Sequence, residues 1–234
     1  MKANCRISTG IDYNFMKSRY ADYFNHDEDA SSYDSDVKNE IHPIRTGYDS
    51  ALKWIGQSVK HCNNILDLGT GTGNTILVLP ETAHIASVDI SKKMIEIAKR
   101  KLVDRSVDYI ISDLLEYIDN APADHFDGIV SSYAIHHLTD DEKEYIFKKM
   151  YKLIHDQGII VVVDLMYEND EELKNIIMKY TNTHSDVIEG INDEFFWNIE
   201  KTMKEFRNIG YTTVTKQFSN LSWGLLLKKN KRGI

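Results

Sequence analysis

From residue 64 the apolar positions fall into a repeating pattern of short runs and amphipathic stretches. The run at residues 64–68 is apolar and ends in a glycine-rich turn, so it predicts a strand. Residues 74–79 read as the following helix, stopped near Pro80. Further strands are expected at residues 84–88, 107–112 and 126–132. Between the first two of these, Ser91 can cap a helix with Met94, Ile95, Ala98 and Leu102 on one face and Lys92, Lys93, Lys99 and Arg100 outward. Thr139 and Glu142 form a capping box for a helix that turns Ile146, Met150 and Leu153 inward. Gly158 stands where a helix end would take a left-handed residue. Residues 159–165 then form a fifth strand without polar alternation, which predicts burial on both faces.

This alternation means parallel strands joined by right-handed crossovers. The flanks differ. Residues 11–60 read as helical and polar, with an acidic stretch between Asp22 and Glu40 that holds seven acids and one base. His42-Pro43 ends that stretch, and residues 44–59 read as a helix carrying Tyr48, Leu52 and Ile55. Beyond Leu165, residues 169–180 and 194–208 read as helices around a polar connection at 181–193. Residues 212–218 and 223–227 suit an antiparallel hairpin at a sheet edge, followed by a basic tail, Lys228-Lys229-Asn230-Lys231-Arg232.

Composition narrows the picture. A chain of 234 residues, 42% hydrophobic, is expected to form one domain (residues 1–234) with a full core. Its parts would be a helical cap (1–60), a core (61–165), a helical lid (166–210) and a C-terminal hairpin with tail (211–234). The net charge of −8 argues against a dedicated nucleic-acid binder. Cys5 and Cys62 show no metal-ligand spacing, so no structural zinc is expected. The N-terminus lacks the apolar segment of a signal peptide, and the longest apolar run is far too short to cross a bilayer. A soluble cytoplasmic protein, monomeric or homodimeric, is the expectation.

Candidate chemistry begins at Asp67-Leu68-Gly69-Thr70-Gly71-Thr72-Gly73. Glycines at a strand-to-helix turn let backbone approach a ligand. Asp89 ends the next strand 22 residues after Asp67, where a carboxylate can accept from a ribose diol. Loop and acid together point to a nucleoside-containing cofactor. The loop departs from the dinucleotide pattern by having an acid before its first glycine and Asn at position 74.

With Val88-Asp89-Ile90-Ser91, Met94, Ser112-Asp113-Leu114 and Phe126-Asp127-Gly128-Ile129-Val130-Ser131-Ser132 following in order, residues 64–165 resemble a class I S-adenosylmethionine-dependent methyltransferase. More narrowly they are similar to the small-molecule, menaquinone-biosynthesis-like group. The resemblance implies an α/β, doubly wound, seven-stranded, mostly parallel sheet in the order 3-2-1-4-5-7-6, with strand 7 antiparallel, a helical N-terminal cap and a helical insertion after strand 5. It implies S-adenosyl-L-methionine as cofactor. Gly69, Gly71 and Gly73 would lie beneath the methionyl part and ribose, and Asp67 would orient the loop or the cofactor's ammonium. Asp89 would bind the ribose hydroxyls, Ile90 would pack on the adenine beside Met94, and Asp113 with the Leu114 amide would meet the adenine edge. Ser131 would line the methionyl end. Tyr33, in Ala30-Ser31-Ser32-Tyr33-Asp34, would close over the cofactor, and Arg45 could pair with its carboxylate.

Methyl transfer needs orientation and a dry site, and a base only where the acceptor must lose a proton. His136, in Tyr133-Ala134-Ile135-His136-His137-Leu138, is the candidate base, with His137 behind it. Acids at 140–142 are a helix N-terminus feature, and no metal ligand is assigned. The stretch after the fourth strand holds neither proline nor cysteine, which argues against nucleobase amino-group and cytosine carbon-5 methylation. Phe195, Phe196, Trp197, Met203, Met166 and Tyr167 could line an acceptor pocket for a neutral or cationic small molecule. Other group transfer from the same cofactor, NAD(P)-linked oxidoreduction and a non-catalytic cofactor-binding module stay open as rivals.

Overall fold

The computed structural model describes residues 17–230. Cys5, the first 16 residues of the expected cap, and Lys231 and Arg232 of the expected tail lie outside the described residues. The strands are β1 (Asn64–Leu68), β2 (His84–Asp89), β3 (Val107–Ile111), β4 (Phe126–Ser132), β5 (Ile154–Tyr167), β6 (Trp197–Asn198), β7 (Tyr211–Gln217) and β8 (Ser222–Lys229). The helices are α1 (Tyr33–Asp36), α2 (Tyr48–Ser58), α3 (Lys92–Lys101), α4 (Leu114–Asn120), α5 (Asp140–Leu153), α6 (Asp170–Tyr180), α7 (Ser185–Asp193) and α8 (Ile199–Ile209).

The sheet order is β3-β2-β1-β4-β5-β8-β7, and the two-residue β6 pairs with the end of β5. The first five strands run parallel, while β8 is antiparallel to both its neighbours. Leaving β6 aside, this is the expected 3-2-1-4-5-7-6 order. Side chains alternate across the sheet, so adjacent residues feed opposite faces. Ile65, Val130 and Val161 pack with Leu52 and Ile55 of α2 on one face. Leu66, Ile129 and Val162 pack with Ile146, Phe147 and Met150 of α5 on the other. Each such fully buried aliphatic side chain contributes about 1.5–3 kcal/mol. The caps form as expected: Ser91 Oγ accepts from the Met94 amide, and Thr139 with Glu142 closes a capping box.

Six expected features differ. Residues 74–79 hold only a short 3-10 turn, Ile76–Val78, because Gly73 (φ +85°) and extended Leu79 before Pro80 leave too few residues for a helix. The helix expected over 44–59 begins at Tyr48, since Gly47 at φ +86° interrupts it. Before it, the cap is mostly turns, with α1 its one short helix among the described residues. Gly158 lies inside β5 at a register shift, and not in the left-handed region; a Cβ there would stand 2.5 Å from Ile154 Cγ1, so its need is space. The polar connection at 181–193 contains α7. The helix expected from 194 starts at Ile199, where Asn198 accepts from the Lys201 amide after pairing beside β5.

Candidate active site

A cavity of about 930 Å³ opens at the carboxyl ends of the parallel strands. Gly69 and Gly71 border it from the loop after β1, Asp89 and Ile90 from the end of β2, and Asp113 and Leu114 from the turn after β3. Met94 reaches it from α3, and Ser132 through Ala134 and His136 through Leu138 close it from the segment after β4. The cap covers it with Tyr33 and Arg45, and α7 supplies Asp186, Glu189 and Asp193, with Glu194 just beyond.

The loop geometry explains its glycines. The amides of Gly69 and Thr70 both donate to the Val88 carbonyl, which docks the loop on β2. Gly69 has φ +77°, and a Cβ there would lie 2.2 Å from that of Ala134. Gly71, at φ +53°, has space above it, with only Tyr33 at 4.0 Å. Asp89 spans loop and helix: Oδ2 accepts from the Gly71 amide at 2.6 Å and Oδ1 from the Ser91 amide at 2.8 Å. Burial raises its pKa, and these two bonds oppose the shift. One lone pair on each oxygen stays available to a diol. Asp113 accepts the amides of Leu115, Glu116 and Ser18, all through Oδ1, which leaves the lone pairs of Oδ2 uncommitted to these amides.

Asp67 lies behind the loop, fully buried, and neither carboxylate oxygen makes a hydrogen bond of normal geometry. Burial pushes its pKa up to about 7 against the effect of nearby Thr70. A buried carboxylate without partners is an arrangement a neighbouring cationic ligand group would relieve. The open space over Gly71 and the spare acceptors on Asp89 fit a cofactor carrying a ribose, whereas Asp67 does not border the cavity and faces it only across the loop.

At the other end of the cavity, His136 is nearly fully buried. Its Nδ1 bonds Asp164 Oδ1, while Asp164 Oδ2 accepts the His136 amide at 2.9 Å. Nε2 stands 3.6 Å from Glu194 Oε2. Burial alone would lower the imidazole pKa; Asp164 and then Glu194 outweigh it and raise it. His137 stacks on Phe24 with centroids 4.2 Å apart, and burial holds its pKa well below the usual histidine value.

Several expected residues sit elsewhere. Ser131 is fully buried and donates to the Leu68 carbonyl, so it braces β1 and does not line the cavity. Gly73 packs on α3, where a Cβ would meet Leu102 Cδ1 at 2.7 Å. Arg45 lines the cavity, but its guanidinium is bound to Asp36 at 2.6 Å. Tyr33 lines it too, its hydroxyl pushed up to about 12 by burial. Phe195, Phe196, Trp197, Met203, Met166 and Tyr167 do not border it; Trp197 instead packs edge-on against Phe147 in the core.

Other residues act at the site through contacts that local sequence hardly marks. Asp164 had one signal, a lone acid inside the apolar run 159–165. Asp34 and Asp27, inside the acidic stretch, are clamps: Asp34 bonds Thr72, Asn74 and Lys101, and Asp27 accepts from Ser91 Oγ and the Lys93 amide.

Comparison with known proteins points the same way. A family model described as a methyltransferase domain matches residues 65–158. An uncharacterized methyltransferase of Anoxybacillus flavithermus is 30% identical over 199 residues, covering 83% of this chain and 91% of that one. Another, from Alkaliphilus oremlandii, is 28% identical over 204 residues, covering 84% and 92%. Among solved structures, a DhpI–SAM–HEP complex superposes with a TM-score of 0.67 at 16% identity, covering 89% of this chain and 96% of that one. Phosphoethanolamine N-methyltransferase 2 of Haemonchus contortus, in complex with S-adenosyl-L-methionine, gives 0.65 at 16% identity, covering 91% and 59%.

Proposed function

The chain belongs to the class I S-adenosylmethionine-dependent methyltransferases, and from that premise we propose that its acceptor is a small molecule entering from the His136 end of the cavity. The observation that carries this reading is the single cavity running from the glycine loop to His136, roofed by the cap and by α7.

S-adenosylmethionine supplies an activated methyl group on a positively charged sulfur. The chain's own residues hold and shield it. Asp89 takes the ribose hydroxyls through the lone pairs its amide partners leave. Ile90 and Met94 pack on the adenine, and Asp113 Oδ2 with the Leu114 amide meets its edge. Gly69 and Gly71 let the backbone pass beneath, Asp67 answers the ammonium through the loop, and Tyr33 covers the site against water. Arg45 exchanges Asp36 for the cofactor carboxylate, a like-for-like swap for a guanidinium fork.

At the acceptor end, His136 is oriented for proton removal. Asp164 fixes the Nδ1–H tautomer, which leaves the Nε2 lone pair toward the acceptor. The acids of α7 and the cap border the cavity, and among the described residues Arg45, itself paired, is the one lysine or arginine that lines it. That balance favours a neutral or cationic acceptor over a polyanion. Among the described residues no helix is long and apolar enough to cross a membrane.

Thermal unfolding with S-adenosylmethionine, S-adenosylhomocysteine and NADH tests the cofactor site, with stabilisation expected from the first two alone. Stabilisation by NADH alone overturns it. A metabolite-extract screen with methyl-labelled donor tests the acceptor class: label in a small molecule supports it, and label only in macromolecules refutes it.

A further inference from the structure

We propose that His136, His137 and Glu194 bind a divalent transition-metal ion, zinc foremost, at the acceptor end of the cavity. One ring nitrogen from each histidine and one Glu194 carboxylate oxygen lie within 4.8 Å of one another, the one such cluster found among the described residues. An ion about 2.0–2.2 Å from each donor holds tetrahedral donors roughly 3.4 Å apart. His136 Nε2 and Glu194 Oε2 already stand 3.6 Å apart.

Both imidazoles are prepared as ligands. The buried carboxylate of Asp164 takes Nδ1 of His136 and is itself held by the amides of His136 and Leu165. This leaves Nε2 as the outward nitrogen, the carboxylate–histidine arrangement that orients metal-binding imidazoles. On His137, Nε2 is 3.2 Å from Nε2 of His26, while Nδ1 is buried without a partner. A buried nitrogen left unpaired calls for an explanation, and an ion held on that side of the ring would supply one. Phe24 stacks on the His137 ring and fixes its plane. Two imidazoles and one carboxylate suit zinc and neighbouring divalent ions, and leave coordination positions open. No local pattern marks this set, because Glu194 lies 57 residues from His137 and stands beside it only in the folded chain.

The binding of the ion stands apart from the methyl-transfer reading; its use rests on that reading. A hydroxyl or thiol acceptor coordinated at an open position gives up its proton to solvent at lower pH than when free. In the loaded protein this replaces proton removal by His136, whose lone pair is then committed to the ion. The acceptor class narrows accordingly to small molecules whose nucleophilic oxygen or sulfur can reach a metal.

The full chain, stripped with chelator, is titrated with Co²⁺ and followed by visible absorption. A saturable band at one ion per chain, displaced by Zn²⁺, is expected. Glu194→Gln and His137→Ala should each weaken Co²⁺ binding at least about tenfold, and Asp164→Asn by about 10–100-fold. Circular dichroism and S-adenosylhomocysteine affinity of each variant report folding separately. Absence of the band, or wild-type affinity in folded Glu194→Gln, overturns the proposal. A stripped chain that binds S-adenosylhomocysteine but no Co²⁺ refutes the metal site alone. A chain that binds Co²⁺ but no S-adenosylhomocysteine supports the metal site and refutes the cofactor assignment.

Discussion

Replacing Asp67 with Asn should stabilise the cofactor-free chain, and by an amount that grows with pH. Asp67 is fully buried, its oxygens lack hydrogen bonds, and its pKa stands at about 7 against an ordinary 3.8. The folded chain therefore holds this proton more tightly than the unfolded chain. The stability from neutral Asp67 is complete below the unfolded value and is lost as pH rises through 7. That gap corresponds to about 4 kcal/mol at most, accumulating at roughly 1.4 kcal/mol per pH unit. Urea unfolding of both proteins at intervals from about pH 5 to 8 reads the effect. The Asp67→Asn advantage should grow by about 2–3 kcal/mol between pH 5 and 7 and then level off. Titrating groups remote from Asp67, His136 among them, shift both proteins alike and cancel in the difference, whereas neighbouring Asp89, which helps raise the Asp67 pKa, adds a smaller change of its own. Parallel stability curves would refute the reasoning. S-adenosylhomocysteine adds a second reading, because a ligand ammonium near Asp67 relieves the buried charge only where the acid is present.

Three more outcomes are expected. Gly69→Ala should lower the thermal midpoint well beyond Gly71→Ala: its Cβ meets that of Ala134 at 2.2 Å, whereas the space over Gly71 is open, and backbone strain of roughly 1–3 kcal/mol is common to both; equal midpoints contradict this. Asp89→Ala should weaken S-adenosylhomocysteine binding at least about tenfold by calorimetry, through loss of charge-assisted bonds, and unchanged affinity removes Asp89 from the site. In metal-stripped protein, Asp164→Asn should slow turnover and move the rising limb of the pH–rate profile to lower pH while sparing cofactor affinity. The sign follows because Asp164 raises the His136 pKa; an unmoved limb would separate the pair from the chemistry.

The parallel core was legible because strands buried on both faces read as unbroken apolar runs. Ile65 and Leu66 are both fully buried although they point to opposite sides of the sheet. Local chemistry was equally legible at Ser91 and Thr139, whose caps involve residues three positions away. What escaped was set by tertiary contact. Helix α7 buries only Val187, so its apolar signal is faint, and its acids line the cavity where polarity had suggested a connection. Asp164 joins His136 across 28 residues, a pairing no local pattern encodes. Ser131 fell on the wrong side because alternation along β4 turns it toward Leu68 and leaves Ser132 at the cavity.

The fastening of the cap has a kinetic consequence. Ser18 and Arg19 are tied by their main-chain amides to Asp113 and Glu142, Asp27 grips the start of α3, and Asp34 grips Thr72 and Asn74 of the glycine loop. All of these anchors but Glu142 sit on or beside a residue assigned to the cofactor. The cap thus cannot lift without loosening the floor it covers, which makes access a cooperative step. Exchange of bound nucleoside would then proceed at the rate at which these anchors release together, and the life of the closed state, more than the chemistry inside it, would set the tempo of turnover.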